Sequence, residues 1–180
     1  TFSCSFNLML FDVIPPTITC PSNVVIDNDP AICGANYNYQ TPVGLDNCIS
    51  ITSLISGLPS GSIFPTGITT NIFQVSDSAG NIATCNFYVL VNDIESPIIN
   101  CPEDTSLLYN EDCLVEVPDF SNFLTYADNC GIESILQTPS YLDTSYNDFT
   151  TTFLVTDSSG NSETCTFNIS LYENFVADLI

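Results

Sequence analysis

Hydrophobic and polar residues alternate along several stretches of this chain with a period of two, which is typical of β-strands. In the clearest stretch, Cys85, Phe87, Val89 and Val91 share one side of the predicted strand. The same alternation occupies residues 4–10 and 165–171, and residues 33–39 follow it less regularly. No stretch shows the three- and four-residue spacing of an amphipathic helix. The pattern therefore predicts an all-β chain.

Turn sequences connect these strands to further β-rich runs. Residues 69–75 and 150–155 are such runs, and each precedes an alternating strand. Between them lie Asp-Ser-Ala-Gly-Asn at 77–81 and Asp-Ser-Ser-Gly-Asn at 157–161. Aspartate at the first position and glycine at the fourth fit a type I turn, so both pairs are predicted to be hairpins. About seven short strands in about 80 residues are typical of an immunoglobulin-like β-sandwich.

The whole pattern repeats with a period of about 81 residues, which indicates a tandem array of small domains. Cys-Pro at 20–21 recurs at 101–102, and Asp-Asn-Cys at 46–48 recurs at 128–130. We expect residues 1–11 to be the last strand of a preceding repeat. Residues 12–93 are then the first full repeat and residues 94–174 the second, while residues 175–180 begin a following segment that the pattern does not assign.

The chain contains 21 Asp and Glu residues but no Lys, Arg or His, which gives a formal net charge of −21. No carboxylate can therefore pair with a side-chain cation of the same chain. Nucleic acids and anionic membrane surfaces repel such a charge, so neither is an expected partner. No apolar run reaches the roughly 20 residues of a membrane-spanning helix, so no membrane insertion is expected in this segment.

Catalysis is not expected from this composition. Without histidine, lysine or arginine, the chain lacks a Ser-His-Asp triad, a Cys-His pair and a Schiff-base lysine. Two carboxylates can hydrolyse glycosidic bonds. Acid pairs such as Glu103 with Asp104, however, are sequence neighbours, which point to opposite sides of a strand. The sequence therefore predicts a protein that is not an enzyme.

Each full repeat carries four cysteines, at 20, 33, 48 and 85 in the first and at 101, 113, 130 and 165 in the second. The chain has neither histidine nor a Cys-x-x-Cys pair, which argues against zinc. An even number of cysteines in a small domain predicts disulfides and an oxidising, extracellular setting. Four cysteines allow three pairings. Cys4 is the ninth cysteine, and its position in the repeat predicts a disulfide to an upstream repeat.

Six aspartates recur at equivalent positions of the two repeats: Asp12, Asp46 and Asp77 in the first, and Asp93, Asp128 and Asp157 in the second. In the predicted topology each trio gathers at one end of its sandwich. Carboxylate oxygens from separate loops are ligands that Ca²⁺ prefers, so each trio is a candidate calcium site. Asp-Asn also caps turns, and aspartate is favoured at the first position of a type I turn. Ordinary turn formation is therefore the alternative explanation.

Taken together, the short sequence elements of the repeat resemble the hyalin repeat (HYR) family, an immunoglobulin-like extracellular module. The matching elements are Pro-Pro-Thr-Ile-Thr-Cys-Pro at 15–21, Asp-Asn-Cys at 46–48, Phe-Pro-Thr-Gly at 64–67, the turn at 77–81 and Thr-Cys-Asn-Phe at 84–87. The resemblance covers nearly all of residues 12–174. The second repeat lacks the Phe-Pro-x-Gly element and carries a different sequence at 141–148.

The resemblance implies a pairing of the cysteines within each repeat. It implies Cys20–Cys85 and Cys33–Cys48 in the first repeat and, by analogy, Cys101–Cys165 and Cys113–Cys130 in the second. It further implies a structural role, because such repeats resemble spacers in long secreted or cell-surface adhesion proteins. We therefore expect an extracellular stalk segment of an adhesin or filament, with the neighbouring repeats of the same chain as its partners. Prolines at 15, 16 and 97 favour stiff junctions between repeats.

Two other functions remain open at this stage. Tyr126, Tyr141 and Tyr146 are candidates for a glycan-binding or protein-binding surface, because aromatic faces suit sugar rings. The array is also a candidate subunit of a self-associating filament or sheath, held by contacts between copies. Two short sequences are candidate glycosylation sites. Ser78 lies in a sequence that resembles a bacterial O-glycosylation site, and Asn168 lies in the N-glycosylation sequence Asn-Ile-Ser.

Overall fold

The computed structural model describes residues 3, 5, 7, 9 and 11–173. These divide into two units. Unit 1 contains the residues up to Asp29 together with Gly34–Asn92, and unit 2 contains Pro30–Cys33 together with the residues from Asp93 onward. The short segment Pro30–Cys33 thus belongs to unit 2, although the sequence boundaries place it in the first repeat. Cys4 with its predicted upstream partner, the even-numbered positions of the predicted strand at 4–10, and residues 175–180 lie outside the described residues.

Unit 1 has six strands: β1 Val24–Asp27, β2 Gly34–Tyr37, β3 Ser50–Ser56, β4 Ser62–Pro65, β5 Gly67–Asp77 and β6 Ile82–Asn92. Four of them form a sheet in the order β1-β6-β5-β3, and β2 pairs with β4 in a second sheet. β1 runs parallel to β6, with Val24 opposite Val89. The first and last strands of the unit are therefore neighbours that run in the same direction.

The core of unit 1 lies between the two sheets. Phe64 on β4 and Ala35 on β2 are buried against Phe73 on β5 and Phe87 on β6. Tyr39 fills the space between them, with its ring centroid 4.9 Å from that of Phe87 in an edge-to-face arrangement. The buried positions of β5 and β6 alternate with more exposed ones, as the period of two predicts. Unit 1 is therefore a β-sandwich.

Unit 2 repeats this architecture with eight strands and one short 3₁₀ helix. They are β7 Ile98–Asn100, β8 Thr105–Leu108, β9 Val115–Glu116, η1 Ser121–Phe123, β10 Thr125–Ala127, β11 Ile132–Thr138, β12 Thr144–Ser145, β13 Phe149–Asp157 and β14 Ser162–Tyr172. The main sheet has the order β11-β13-β14-β8, and β8 is parallel to β14. The predicted all-β, immunoglobulin-like sandwich fold is confirmed. Within the described residues, no helix is long and apolar enough to cross a membrane.

Both predicted hairpins are present. β5 and β6 are antiparallel, and the amide of Gly80 donates to the carbonyl of Asp77 at 3.4 Å. In unit 2 the amide of Gly160 donates to the carbonyl of Asp157 at 3.3 Å. The two glycines have φ angles of 93° and 94°, a left-handed conformation that glycine adopts at little cost. We call this part of each sandwich its hairpin end and the opposite part, where β1 or β8 ends, its turn end.

Two disulfides each join the segment just before β1 or β8 to the last strand of the same unit. They are Cys20–Cys85 in unit 1 and Cys101–Cys165 in unit 2, the pairs that the family resemblance implies. In the chain-entropy description, closing a loop of 65 residues stabilises the fold by about 4 kcal/mol. Each sandwich is therefore closed by a covalent bond beside its core.

The other two implied pairings are wrong. Cys33 forms a disulfide with Cys130, and not with Cys48, while Cys48 and Cys113 are exposed free thiols. The strand register explains why. Cys33 precedes Gly34, which pairs with Pro65 at the turn end, whereas Cys48 precedes Ser50, which pairs with Asp77 at the hairpin end.

The length of the sheet keeps these two cysteines apart. Strand β5 runs from one end of unit 1 to the other and has 11 residues, which corresponds to about 35 Å. A disulfide needs Cα atoms within about 7 Å, so residues at opposite ends cannot be bonded. The same separation holds in unit 2 between Cys113, at the turn end, and Cys130, at the hairpin end.

Candidate functional site

Asp157 is the central residue at the hairpin end of unit 2, and its side chain is completely buried. Its Oδ1 accepts hydrogen bonds from the amides of Ser159 and Asn161, both at 2.8 Å. Its Oδ2 accepts one from Asn161 Nδ2, also at 2.8 Å. Desolvation raises the pKa of Asp157, but these hydrogen bonds outweigh it and hold the pKa below the ordinary 3.8. The carboxylate is therefore a buried negative charge at neutral pH.

Asp128 lies in the loop between β10 and β11, where its carboxylate organises the backbone. Oδ2 accepts hydrogen bonds from the amides of Cys130 at 2.7 Å and Gly131 at 3.2 Å. Oδ1 is buried and has no hydrogen-bond partner in the structure. One oxygen of this side chain thus forms a turn, and the other is left without a donor.

Asp93 completes the group. Its Oδ1 accepts a hydrogen bond from the amide of Glu95 at 3.2 Å, and its Oδ2 accepts one from Ser159 Oγ at 2.9 Å. One carboxylate oxygen from each of Asp93, Asp128 and Asp157 lies within 4.8 Å of the other two. The structure therefore brings together the three aspartates that the second repeat was predicted to gather.

The chemistry of this cluster permits two descriptions. Three carboxylates with no cationic side chain anywhere in the sequence can supply hard oxygen ligands to a divalent cation. The hydrogen bonds to Asp93 and Asp157 are also those of ordinary turns, which require no ion. Calcium binding therefore stays a prediction.

The hairpin end of unit 1 differs from that of unit 2. Asp12 and Asp46 lie together with the thiol of Cys48, and Asp77 is not part of this group. The carboxylate of Asp77 is held by Asn81, which donates through Nδ2 at 2.7 Å and through its amide at 2.8 Å. The hydrogen bond from the Asn81 side chain is the main reason that the pKa of Asp77 lies below its ordinary value. The predicted trio of unit 1 is thus incomplete.

Cys48 is electrostatically coupled to the acids around it. A hydrogen bond with Asp12 is the largest cause that raises the pKa of the Cys48 thiol, with smaller contributions from burial and from the charges of Asp12, Asp46 and Asp77. The same hydrogen bond is the largest cause that lowers the pKa of Asp12. The thiol is therefore protonated at neutral pH, the opposite of the activated thiolate that a catalytic cysteine requires.

Two asparagines that were not among the predicted site residues organise both hairpin ends. Besides its bonds to the hairpin aspartate, Asn81 donates through Nδ2 to the carbonyl of Asp12 at 3.2 Å. Asn161 makes the equivalent bond to the carbonyl of Asp93, also at 3.2 Å. Each asparagine therefore ties the segment that begins a repeat to the final hairpin of that repeat. The available signal was asparagine at the fifth position of both turn sequences.

The tyrosines proposed for glycan binding are exposed, and their rings do not contact one another. Tyr126, Tyr141 and Tyr146 are 45%, 60% and 65% exposed. No aromatic ring contact joins them in the part of the chain that the structure describes. Ser78 and Asn168 are exposed, and the side chain of Asn168 donates to Asp104 at 3.2 Å.

Comparison with known proteins identifies the first repeat. Residues 11–91 match the family profile of the HYR domain. This part of the chain belongs to the HYR family. The predicted resemblance is confirmed, and the HYR domain coincides with the first sandwich, including its Cys20–Cys85 disulfide.

Several curated proteins are similar to a longer part of the chain. Over 165 residues it is 30% identical to a rat protein named "Sushi, von Willebrand factor type A, EGF and pentraxin domain-containing protein 1", an alignment that covers 88% of this chain and 4% of the relative. Over 182 residues it is 29% identical to hyalin of Strongylocentrotus purpuratus, with 94% of this chain and 15% of hyalin covered. The chain therefore corresponds to a small part of these relatives.

Among solved structures, a human mucin-like protocadherin fragment of two domains aligns with 88% of this chain and 98% of its own length. The sequence identity is 10% and the TM-score is 0.39.

A human sushi repeat-containing protein, SRPX, is 35% identical over 95 residues, which are 52% of this chain and 20% of that protein. The aligned part is therefore a small fraction of SRPX.

Proposed function

We propose that this HYR-containing chain is a non-catalytic stalk segment of a secreted or cell-surface adhesion protein, which extends other parts of that protein and transmits tension between them. The observation that carries the proposal is the position of the disulfides. Cys20–Cys85 and Cys101–Cys165 each join the entry of a sandwich to its last strand. A pulling force therefore crosses each unit through a covalent bond.

A long stretch of chain lies inside each disulfide loop. The chain enters unit 1 before Cys20 and leaves it after Cys85, so 65 residues of sequence separation lie inside the disulfide loop. Under tension the loop is bypassed, and the core need not hold the force by hydrogen bonds and packing alone. This arrangement suits a stalk. When a unit unfolds under tension, the residues inside the disulfide loop cannot be stretched out, so the chain does not lengthen by the whole domain.

Composition and comparisons support the same role. The absence of histidine, lysine and arginine removes the usual nucleophile activators and general bases. Disulfides are typical of an oxidising, extracellular location. The rat relative is named for sushi, von Willebrand factor type A, EGF and pentraxin domains, and this chain aligns with 4% of it. A module of a long multidomain protein is the setting that these observations favour.

Replacement in the full-length protein tests the proposal against the rival function of a binding module. Residues 12–174 are exchanged for two unrelated β-sandwich domains, and a second variant lacks residues 12–174 altogether. If the segment is a stalk, we expect the deletion to weaken the attachment of cells that carry the protein. The exchange should restore that attachment. If the exchange fails as completely as the deletion, the segment binds a partner itself, and Tyr141→Ala and Tyr146→Ala variants then test the tyrosine surface.

A further inference from the structure

Each of the two repeats places a cysteine just before the end of a turn. After β1, the amide of Asp29 donates to the carbonyl of Gly34, and after β8 the amide of Asn110 donates to the carbonyl of Leu114. The residue before each accepting carbonyl is a cysteine, Cys33 in the first repeat and Cys113 in the second. We call these two the turn cysteines.

A second pair of cysteines is equivalent at the hairpin end. The amide of Cys48 donates to Asp46 Oδ2 at 3.1 Å, and the amide of Cys130 donates to Asp128 Oδ2 at 2.7 Å. The carbonyl of the next residue accepts a hydrogen bond from the amide of Ser78 or Ser158, respectively. We call Cys48 and Cys130 the hairpin-end cysteines. Each repeat thus carries one turn cysteine and one hairpin-end cysteine.

Unit 2 shows what the two kinds of cysteine do. Within this unit, the turn cysteine Cys33 is bonded to the hairpin-end cysteine Cys130. Hydrogen bonds hold the rest of the segment Pro30–Cys33: the amide of Ala31 donates to the Glu95 carboxylate at 2.9 and 3.1 Å, and Asn129 Nδ2 donates to the carbonyl of Ile32 at 3.2 Å. The disulfide is therefore part of a built site that receives a turn segment.

Unit 1 has a corresponding surface around Cys48. Cys48 is an exposed free thiol, and it lines an open groove with Asp12, Ile14 and Asn47. Ile49 beside it is 82% exposed. Asn47, the counterpart of Asn129, donates to Asp12 Oδ2 at 3.1 Å instead of to an incoming carbonyl. The groove differs from that of unit 2 in having Ile14 where unit 2 has Glu95.

Unit 2 carries the complementary half at its turn end. Cys113 is exposed and free, and it lies in a tight turn with a φ angle of 57°. We propose that every repeat is disulfide-bonded to both of its neighbours along the array. Cys48 pairs with the turn cysteine of a preceding copy of the repeat, and Cys113 pairs with the hairpin-end cysteine of a following copy in the same polypeptide.

The chemistry of each link is a two-electron oxidation. Two thiols lose two protons and two electrons, and one S–S bond forms. The electrons pass to the disulfide of a thiol–disulfide oxidoreductase, which is reduced to a dithiol after a mixed disulfide has formed and been displaced. The array is then a chain of sandwiches joined twice, once by the backbone and once by a disulfide.

Disulfide mapping of the full-length secreted protein tests this inference. Free thiols are blocked with an alkylating agent, the protein is cleaved at acidic residues without reduction, and linked peptides are identified by mass spectrometry. We expect the Cys48 peptide to be linked to a peptide from a preceding repeat and the Cys113 peptide to one from a following repeat. Alkylated Cys48 or Cys113 overturns the proposal, and so does a Cys33–Cys48 or Cys113–Cys130 link.

A Cys33→Ser variant provides the matched control. Links between neighbouring repeats predict that this substitution exposes Cys130 to alkylation and leaves Cys48 protected. Pairing within the repeat predicts the reverse, with Cys48 exposed and Cys130 protected. The inference rests on the tandem organisation in the proposed function but not on adhesion. Pairing within repeats therefore contradicts the links and leaves the stalk proposal standing.

Discussion

The sulfur atoms of Cys33 and Cys130 are bonded although 97 residues separate the two cysteines in sequence. Cys33 is in the turn after β1, and Cys130 follows the Asx turn of Asp128. The bond holds the short segment Pro30–Cys33 in unit 2, where Glu95 and Asn129 also contact it. A turn of the first repeat in sequence is therefore structurally a part of the second unit.

The buried carboxylate of Asp157 is predicted to stabilise unit 2. In an Asp157→Asn variant, an amide nitrogen replaces one acceptor oxygen, so Asn161 Nδ2 or a turn amide loses its acceptor. We expect a loss of about 2 kcal/mol in the free energy of unfolding, measured by urea denaturation, because hydrogen bonds to a charged group have about this value. Asp112→Asn, at an exposed position of the same unit, is the control. Equal unfolding midpoints for the two variants would contradict the role of Asp157.

The stability of the chain is predicted to fall in acid because of the same aspartates. The pKa values of Asp77 and Asp157 lie below the ordinary 3.8 in the folded state. Their contribution is therefore complete above the unfolded pKa of about 3.9 and is lost as the pH falls through the lower folded values. We expect the urea midpoint to be lower at pH 3 than at pH 7. The difference should shrink in Asp157→Asn, and an unchanged difference would show that other groups control it.

Substitution by valine at two equivalent core positions is predicted to change the stability of the two units in opposite directions. Asn71 is fully buried and exchanges hydrogen bonds with Leu58, at 2.8 Å to its amide and 3.1 Å to its carbonyl. Thr151 is equally buried in unit 2, where its Oγ1 has no hydrogen-bond partner in the structure.

Asn71→Val should therefore destabilise unit 1 by about 2 kcal/mol, because it leaves two partly buried backbone groups of Leu58 without their partner. Thr151→Val should stabilise unit 2 by about 1 kcal/mol, because it removes a buried hydroxyl that has no partner. Urea unfolding of each variant gives both values. Destabilisation by both substitutions would mean that Thr151 has a partner, such as a buried water.

Calcium is predicted to bind the carboxylates of Asp93, Asp128 and Asp157. Thermal unfolding is measured first in EDTA and then at a calcium concentration 100-fold above the dissociation constant, where a single site adds about 2.7 kcal/mol. We expect the melting temperature to rise in calcium and the rise to vanish in Asp128→Asn. In Asp46→Asn the rise should persist, because Asp77 is absent from the cluster of unit 1. Superimposable melting curves with and without calcium would exclude the site.

Local patterns in the sequence predicted the parts of the structure that depend on local chemistry. Alternation at 85–91 identified β6, because one face of a strand packs on the core and the other faces solvent. The Asp-x-x-Gly turns identified both hairpins, because aspartate and glycine satisfy the backbone requirements of the turn within five residues. The gathering of Asp93, Asp128 and Asp157 also followed, since all three adjoin strand ends at the same end of the sheet.

The pairing of Cys33 could not be predicted in this way. Its partner depends on which end of the sheet each loop occupies, and register between distant strands is not encoded in spacing along the chain. The resemblance to other repeats supplied an answer, Cys48, that the register excludes. Knowing only that Cys33 and Cys48 flank opposite ends of β5 would have been enough to reject it.

Single-molecule stretching tests the central claim that disulfides carry tension across each unit. The chain is held at its two ends and pulled, first oxidised and then in a reductant, with Cys33→Ser as a control that leaves Cys20–Cys85 intact. Reduction should add about 230 Å of length to each unfolded unit, because 65 residues extend by up to about 3.5 Å each. The oxidised chain and the control should lack this gain. Equal lengthening of the oxidised and reduced chains would contradict the proposed role as a tension-bearing stalk.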